Sequence, residues 1–221
     1  MKTIIINASP RKNWNTAQLL REAQKGAESA GAEVEYVDLY DLDFKGCRSC
    51  LACKRKDAER CKCYWKDDLS PLIDRILKAD NLIIGTPIYF GEPTAEFRAL
   101  YERLLCCVMS YDVEGEGTYY QGHLNTGIIY TMNAPKEYFE NHMHPALQMT
   151  EGMMGMLLKG TVRSYAACDT FQVSDYSKYS MSAFSEEAKK HQRETQFPID
   201  LQEAFKMGAE MNRCNLSVSQ M

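Results

Sequence analysis

Apolar residues along the chain alternate between short unbroken runs and longer stretches where they recur every three to four positions. The first run, Thr3 to Asn7, is β-branched and predicts a buried strand. Thr16 to Ala30 places Ala17, Leu20, Ala23 and Ala27 on one helical side, and Gly31 ends the helix. Val34 to Leu39 predicts a second strand. Asp68 to Lys78 carries Leu69, Leu72, Ile73, Ile76 and Leu77 at helical spacing, with Ser70-Pro71 in its first turn. Leu82 to Gly85 is a third strand, stopped by Thr86-Pro87, and Thr94 to Leu105 a third helix. Gly127 to Thr131 is a fourth strand that Asn133-Ala134-Pro135 ends. Tyr138 to about Met149 is helical, Thr161 to Cys168 is a fifth strand, and Ser185 to about Arg213 is a last helix broken near Pro198.

Strands that alternate with helices imply βαβ units and a parallel sheet covered on both faces. The expected fold is α/β: a flavodoxin-like, doubly wound, five-stranded parallel sheet of order 2-1-3-4-5. No linker divides the chain, so residues 1–221 are expected to form one domain with a Cys-rich loop at 45–66. Ligands of such sheets bind beyond the carboxyl ends of the strands, where the strand order reverses. The loops after strands one, three and four are therefore the candidate functional loops.

Lys plus Arg is 26 against 30 Asp plus Glu, a net charge of −4. That balance argues against nucleic acid and against an anionic membrane surface as partners. Apolar runs of a few residues fall far short of the roughly 20 that span a bilayer. Met1 to Asn7 turns polar too soon for a signal peptide, so the expected compartment is the cytoplasm. Nine cysteines change the picture. Five lie between Cys47 and Cys63, and the others are Cys106, Cys107, Cys168 and Cys214. An odd total and a tight cluster point to metal, redox chemistry or a thiol-rich loop rather than a disulfide framework.

The loop from Asn7 to Thr16 leaves a strand and enters a helix. Its Ser9, Arg11, Asn15 and Thr16 suit a single phosphate at a helix N-terminus, and Asn15 or Thr16 equally suits a simple cap. Neither a dinucleotide fingerprint nor a P-loop is present, and no hydrolase motif occurs. Ser9-Pro10-Arg11 with Asn15-Thr16 resembles the phosphate loop of the NADPH-dependent FMN reductase family. Ala79 to Gly91, ending Thr86-Pro87-Ile88-Tyr89-Phe90-Gly91, resembles that family's second flavin-binding segment, and Asp67-Asp68 matches its habit between them. The resemblance implies FMN held by Ser9, Arg11, Asn15 and Thr16 at the phosphate and by Pro87, Ile88, Tyr89, Phe90 and Gly91 at the ring. The loop after strand four, Thr131-Met132-Asn133-Ala134, would border the ring's far side, with Thr131 and Asn133 as its polar contacts. It further implies NAD(P)H as co-substrate in a ping-pong scheme. The acceptor would be a quinone, nitroaromatic, flavin or ferric chelate. No side chain need be catalytic, because flavin N5 carries the chemistry.

The cysteine spacing is Cys47-x2-Cys50-x2-Cys53-x7-Cys61-x-Cys63. Three close cysteines and a distant fourth suit an iron–sulfur cluster better than zinc. The pattern resembles the iron-sulfur flavoprotein branch of the same superfamily. This implies a [4Fe-4S] cluster on Cys47, Cys50, Cys53 and Cys61, with Cys63 the alternative fourth ligand. Thiols packed in a loop with no cluster are the other reading. A cluster would allow a non-enzymatic carrier between ferredoxin and FMN. His142 and His144 show no carboxylate partner in a suitable pattern, and the methionines from Met143 to Met156 read as packing. The helix residues Phe97, Leu100, Tyr101, Leu104 and Leu105 span a wide arc, which with the methionines suggests a homodimer that closes the flavin pocket. Tyr111 to Gly122 is either a loop over the flavin or a surface excursion.

Overall fold

The computed structural model describes residues 1–113 and 117–213, and Cys214 lies outside them. Six strands form the sheet: β1 (Lys2–Asn7), β2 (Glu33–Asp38), β3 (Asn81–Tyr89), β4 (Glu92–Pro93), β5 (Asn125–Thr131) and β6 (Val162–Ala167). Five of them run parallel in the order β2-β1-β3-β5-β6, the expected order once the two-residue β4 is set aside. The helices are α1 (Asn15–Ser29), α2 (Leu69–Ile76), α3 (Ala95–Val108), α4 (Lys136–Tyr138), α5 (His144–Leu158), α6 (Glu186–Thr195) and α7 (Phe197–Met211).

Strand alternation sorts the apolar residues into two cores. Ile4, Ile6, Leu82, Ile84, Ile128 and Tyr130 face α2, α3 and α5. Ile5, Ile83 and Ile129 face the other way, toward α1 and α7. The crossover from β1 thus covers one face and the crossover from β3 the other. The two chains diverge above the adjacent ends of β1 and β3.

α1 is seated by close backbone contacts. A Cβ on Gly85 of β3 would lie 2.8 Å from Thr16 Cγ2 and 2.7 Å from Leu20 Cδ1, so the bare strand lets the first turns of α1 press down. On its outer side a Cβ on Gly26 would meet Phe205 O at 2.0 Å, and one on Gly208 would meet Ala23 O at 1.9 Å. Small residues at this crossing let α1 and α7 approach backbone to backbone.

Three expectations change. Thr86-Pro87 does not stop β3, which pairs with β5 as far as Pro87↔Thr131 and continues to Tyr89. Gly85 O accepts from Ala8 N on the β1 side, and Pro87, of the same parity, turns its missing donor to that side beyond the end of β1. The helix expected to end near Met149 starts earlier, at Lys136, passes through a π-turn at Phe139–Met143, and reaches Leu158. Buried Met154, Leu157 and Leu158 hold its last turns despite Gly152 and Gly155. Phe97, Leu100, Leu104 and Leu105 are core residues, because α3 packs at once on the sheet, on neighbouring helices and on the Cys-rich loop. Their wide arc is consumed within one chain.

Gly208→Ala should lower stability by about 1–3 kcal/mol through overpacking against Ala23. Urea unfolding measures it as a lower midpoint at unchanged slope. An unchanged midpoint would mean that α1 and α7 separate at no cost.

Candidate functional site

The N-terminus of α1 is preceded by Trp14, which makes no side-chain cap. Asn15 and Thr16 are its first helical residues and not its caps, and their side chains turn elsewhere. Thr16 Oγ1 pairs with Thr131 Oγ1 at 2.7 Å, bridging α1 to the end of β5. Asn15 Nδ2 donates to Phe171 O at 2.9 Å, while its Oδ1 accepts from Arg193 at 3.0 Å. The first-turn N–H groups of α1 are therefore left without a side-chain acceptor, with the positive end of the helix dipole behind them.

This terminus opens into a cleft of about 530 Å³, mouth included. Ser9, Arg11, Asn15 and Thr16 form its floor and one side. Pro87, Ile88 and Tyr89 form a second wall, and Thr131 and Asn133 a third. Nine of the eleven residues singled out for a flavin therefore meet in one cleft. Phe90 and Gly91 do not line it. They are the two-residue turn between β3 and β4, both at positive φ (55° and 87°), and the Phe90 ring stands fully in solvent. Ser9 Oγ accepts from Arg11 N, which curls the loop around the cleft floor. Asn133 Oδ1 is buried with no hydrogen-bond partner among the described residues, an orphan acceptor in the cleft wall.

Met132, of the same loop as Thr131 and Asn133, lines the cleft as well; Trp14, Thr170 and Gln172 also line it, and sequence reasoning missed these three. The strap after β6 is tied over the loop that joins β1 to α1. Phe171 O accepts from Trp14 Nε1 at 3.1 Å as well as from Asn15, and Gln172 O accepts from Arg11 Nη1 at 2.6 Å. Contacts between residues more than 150 positions apart leave no local signal.

A second pocket, of about 420 Å³ with its open mouth included, is lined by Cys47, Cys50, Cys53 and Cys63 of the loop and by Cys106 and Cys107 of α3. Cys61 does not line it. The two α3 cysteines were not foreseen as part of this cluster. Burial pushes the thiols of Cys53 and Cys61 up, and burial with a hydrogen bond donated to Cys47 pushes Cys106 up to about 12. As free thiols these three are neutral near pH 7, which argues against a nucleophilic role. Among the described residues no group of three or more Cys, His, Asp or Glu is arranged to hold a single metal ion. The donor set, cysteines of the loop together with two of α3, suits a polynuclear cluster better than one zinc ion.

Both ends of the loop are held by one buried side chain. Arg103 is 3% exposed and pairs bidentately with Asp67, Nη1 to Oδ2 at 2.7 Å and Nη2 to Oδ1 at 3.0 Å. Lys54 bonds the carbonyls of Cys106 and Met109 and so caps the C-terminus of α3, which gives one of the loop's cations a structural partner. Tyr119 and Tyr120 lie at this end of α3, Tyr119 N bonding Val108 O and Tyr120 Oη bonding Leu77 O, and not over the cleft. His144 faces Glu151 at 4.0 Å, a partner seven residues on that the sequence did not reveal.

The first 121 residues match the family model described as NADPH-dependent FMN reductase. The chain belongs to that family. Its sequence is 37% identical over 103 residues to an iron-sulfur flavoprotein of Methanocaldococcus jannaschii, covering 47% of this chain and 51% of that protein. An iron-sulfur flavoprotein of Archaeoglobus fulgidus is likewise 37% identical over 103 residues, covering 47% and 48%. The chain spans about half the length of the curated relatives it matches. Among solved structures, an NAD(P)H:quinone oxidoreductase from Methanothermobacter marburgensis superposes with a TM-score of 0.69 at 18% identity, covering 96% of each chain. An azoreductase from Bacillus anthracis gives 0.68 at 14% identity, covering 95% of this chain and 99% of that one. At these identities the likeness is one of fold. Among the described residues no helix is long and apolar enough to cross a membrane.

Burial pushes the Asp67 carboxyl up, but the bonds and charge of Arg103, with the N–H groups of Ser70 and Leu69, outweigh it and hold it below its ordinary 3.8. A carboxylate with a depressed folded value stabilises the fold above its unfolded value and loses that contribution as pH falls through the folded one. Asp67→Asn should therefore cost about 3–5 kcal/mol near pH 7, where Arg103 is left buried without a counter-charge. Its stability should also fall less steeply than wild type between about pH 5 and pH 3. Urea midpoints across that range test both; parallel curves would leave Asp67 no special role.

Proposed function

We propose that this protein is an FMN-dependent NAD(P)H oxidoreductase that passes electrons on to a quinone, nitroaromatic, flavin or ferric acceptor. The observation that carries this reading is the uncapped α1 terminus, open to a cleft at the switch point of the sheet. Bound FMN supplies the hydride and electron chemistry. The protein's own groups bind and orient. The first-turn N–H groups with Ser9, Asn15, Thr16 and Arg11 receive one phosphate, and the sequence carries no dinucleotide fingerprint for a pyrophosphate. The buried Asn133 Oδ1 receives a donor from the ligand's polar edge. Pro87, Ile88 and Tyr89 pack on a flat ring and limit water at it, while Phe90 and Gly91 act at the lip of the cleft.

The thiol-lined cavity supports a second component, a [4Fe-4S] cluster on Cys47, Cys50, Cys53 and a fourth cysteine. The names of the sequence relatives point the same way. If nicotinamide fails as donor, the alternative is an electron carrier between ferredoxin and FMN. Eight free cysteines among the described residues suit a reducing compartment, and the cytoplasm is the proposed one. We also propose a homodimer. Met149 and Met156 stand exposed on α5 with Gly152 between them, a face no other part of the described chain covers. Light scattering should give twice the chain mass of 25.3 kDa, and a fully active monomer would remove the partner.

The purified protein should release FMN, not FAD, by mass spectrometry. NAD(P)H should bleach its visible absorbance, and an added quinone should restore it. Replacing Arg11 and Asn15 together by Ala should weaken FMN binding by at least about tenfold, since charge-assisted bonds are each worth more than about 1.4 kcal/mol. Recovery of FAD alone would sink the cofactor assignment. Reduction by ferredoxin but by neither nicotinamide would replace the enzyme with the carrier.

A further inference from the structure

The fourth sulfur of the thiol cavity is the position at which the spacing leaves a choice. The spacing from Cys53 favours Cys61, whereas Cys63 is the cysteine that lines the cavity. Cys61 instead occupies a left-handed backbone position, φ 60°, in the segment leading to Cys63.

What holds Cys63 there is Arg103. Its guanidinium has five N–H donors, and all five are used. Two go to the Asp67 carboxylate, one to Lys45 O at 2.9 Å, one to Ser70 Oγ at 2.7 Å, and Nε–H to Cys63 Sγ at 3.1 Å. Four of the five bonds involve no cysteine. They fix the plane of the guanidinium from both ends of the loop, so the direction of Nε–H is set by the fold. That one donor meets a sulfur on the cavity wall. Asp67 offsets the charge of the guanidinium, so the pair offers Cys63 a polarised N–H without a net charge.

We infer that Arg103 selects Cys63, and not Cys61, as the fourth ligand of a cluster in this cavity, and keeps its Nε–H on that sulfur when the cluster is held. The inference rests on the iron–sulfur reading above. Arg103 touches a ligand and not the reacting atoms, so it is a positioning residue. Hydrogen bonds to ligand sulfurs raise a cluster's reduction potential, and removing one should lower it.

The experiment is anaerobic reconstitution of the full chain with ferrous iron and sulfide, read by iron and sulfide content and by electron paramagnetic resonance during a redox titration. Wild type and Cys61→Ser should each hold about four irons per chain, and Cys63→Ser should fall to background. Arg103→Lys, which keeps the charge but not the five-donor geometry, should lose iron or titrate at a more negative potential, with its FMN content unchanged. Loss of the cluster in Cys61→Ser or Cys106→Ser, with retention in Cys63→Ser, overturns the assignment of the ligand. Wild-type iron content together with a wild-type potential in Arg103→Lys overturns the role of Arg103. A wild-type chain that takes up no iron overturns the cluster reading itself, and this inference with it.

Discussion

The structure depends on how closely α1 can lie against β3. Gly85 removes the side chain that would otherwise hold the helix off the sheet, and Thr16 and Leu20 occupy that space. Gly26 and Gly208 do the same on the outer side, where α7 clamps α1 from above. A helix held at two backbone contacts cannot slide. Its N-terminal amides therefore stay at the ends of β1 and β3, where the two crossovers part. The open, uncapped helix terminus follows from this packing more than from any one polar residue.

α3 carries the second constraint. At its N-terminus Thr94 bonds Ala8 O and Thr86 Oγ1, which ties the helix to the two strands that frame the cleft. About 18 Å along its axis, at the helical rise of about 1.5 Å per residue, Cys106 and Cys107 reach the thiol cavity. Arg103 lies on the same helix and staples the entry and exit of the loop. One rigid element thus sets the position of both sites. Replacing the Arg103–Asp67 pair by an apolar pair of similar volume need not lower stability, since buried ion pairs often gain little over such residues. What the pair provides beyond stability is a fixed direction for one N–H.

The strands and helices were legible because each has a short period and a clear stop. Gly31, at φ 83°, ends the first helix where the spacing said it would, and Thr94 caps α3 at its expected first residue. Errors arose where a local rule met a tertiary exception. Pro87 reads as a strand breaker, yet a strand that has lost one neighbour tolerates it. The arc of Phe97, Leu100, Leu104 and Leu105 reads as surplus, yet sheet, helix and loop surround that helix on several sides.

By itself the sequence determined the alternation of strands and helices, the sheet order and the two loops that supply the cleft. Each of these is written in neighbouring residues through periodicity, caps and turn chemistry. Tertiary structure decided which residues complete the sites. Thr170 and Gln172 enter the cleft from the strap after β6, Cys106 and Cys107 join the loop thiols from α3, and Cys63, not Cys61, lines the thiol pocket and is bonded by an arginine 40 positions away. Such choices depend on distances across the packed chain, and side chains that meet only after folding leave no pattern along the sequence.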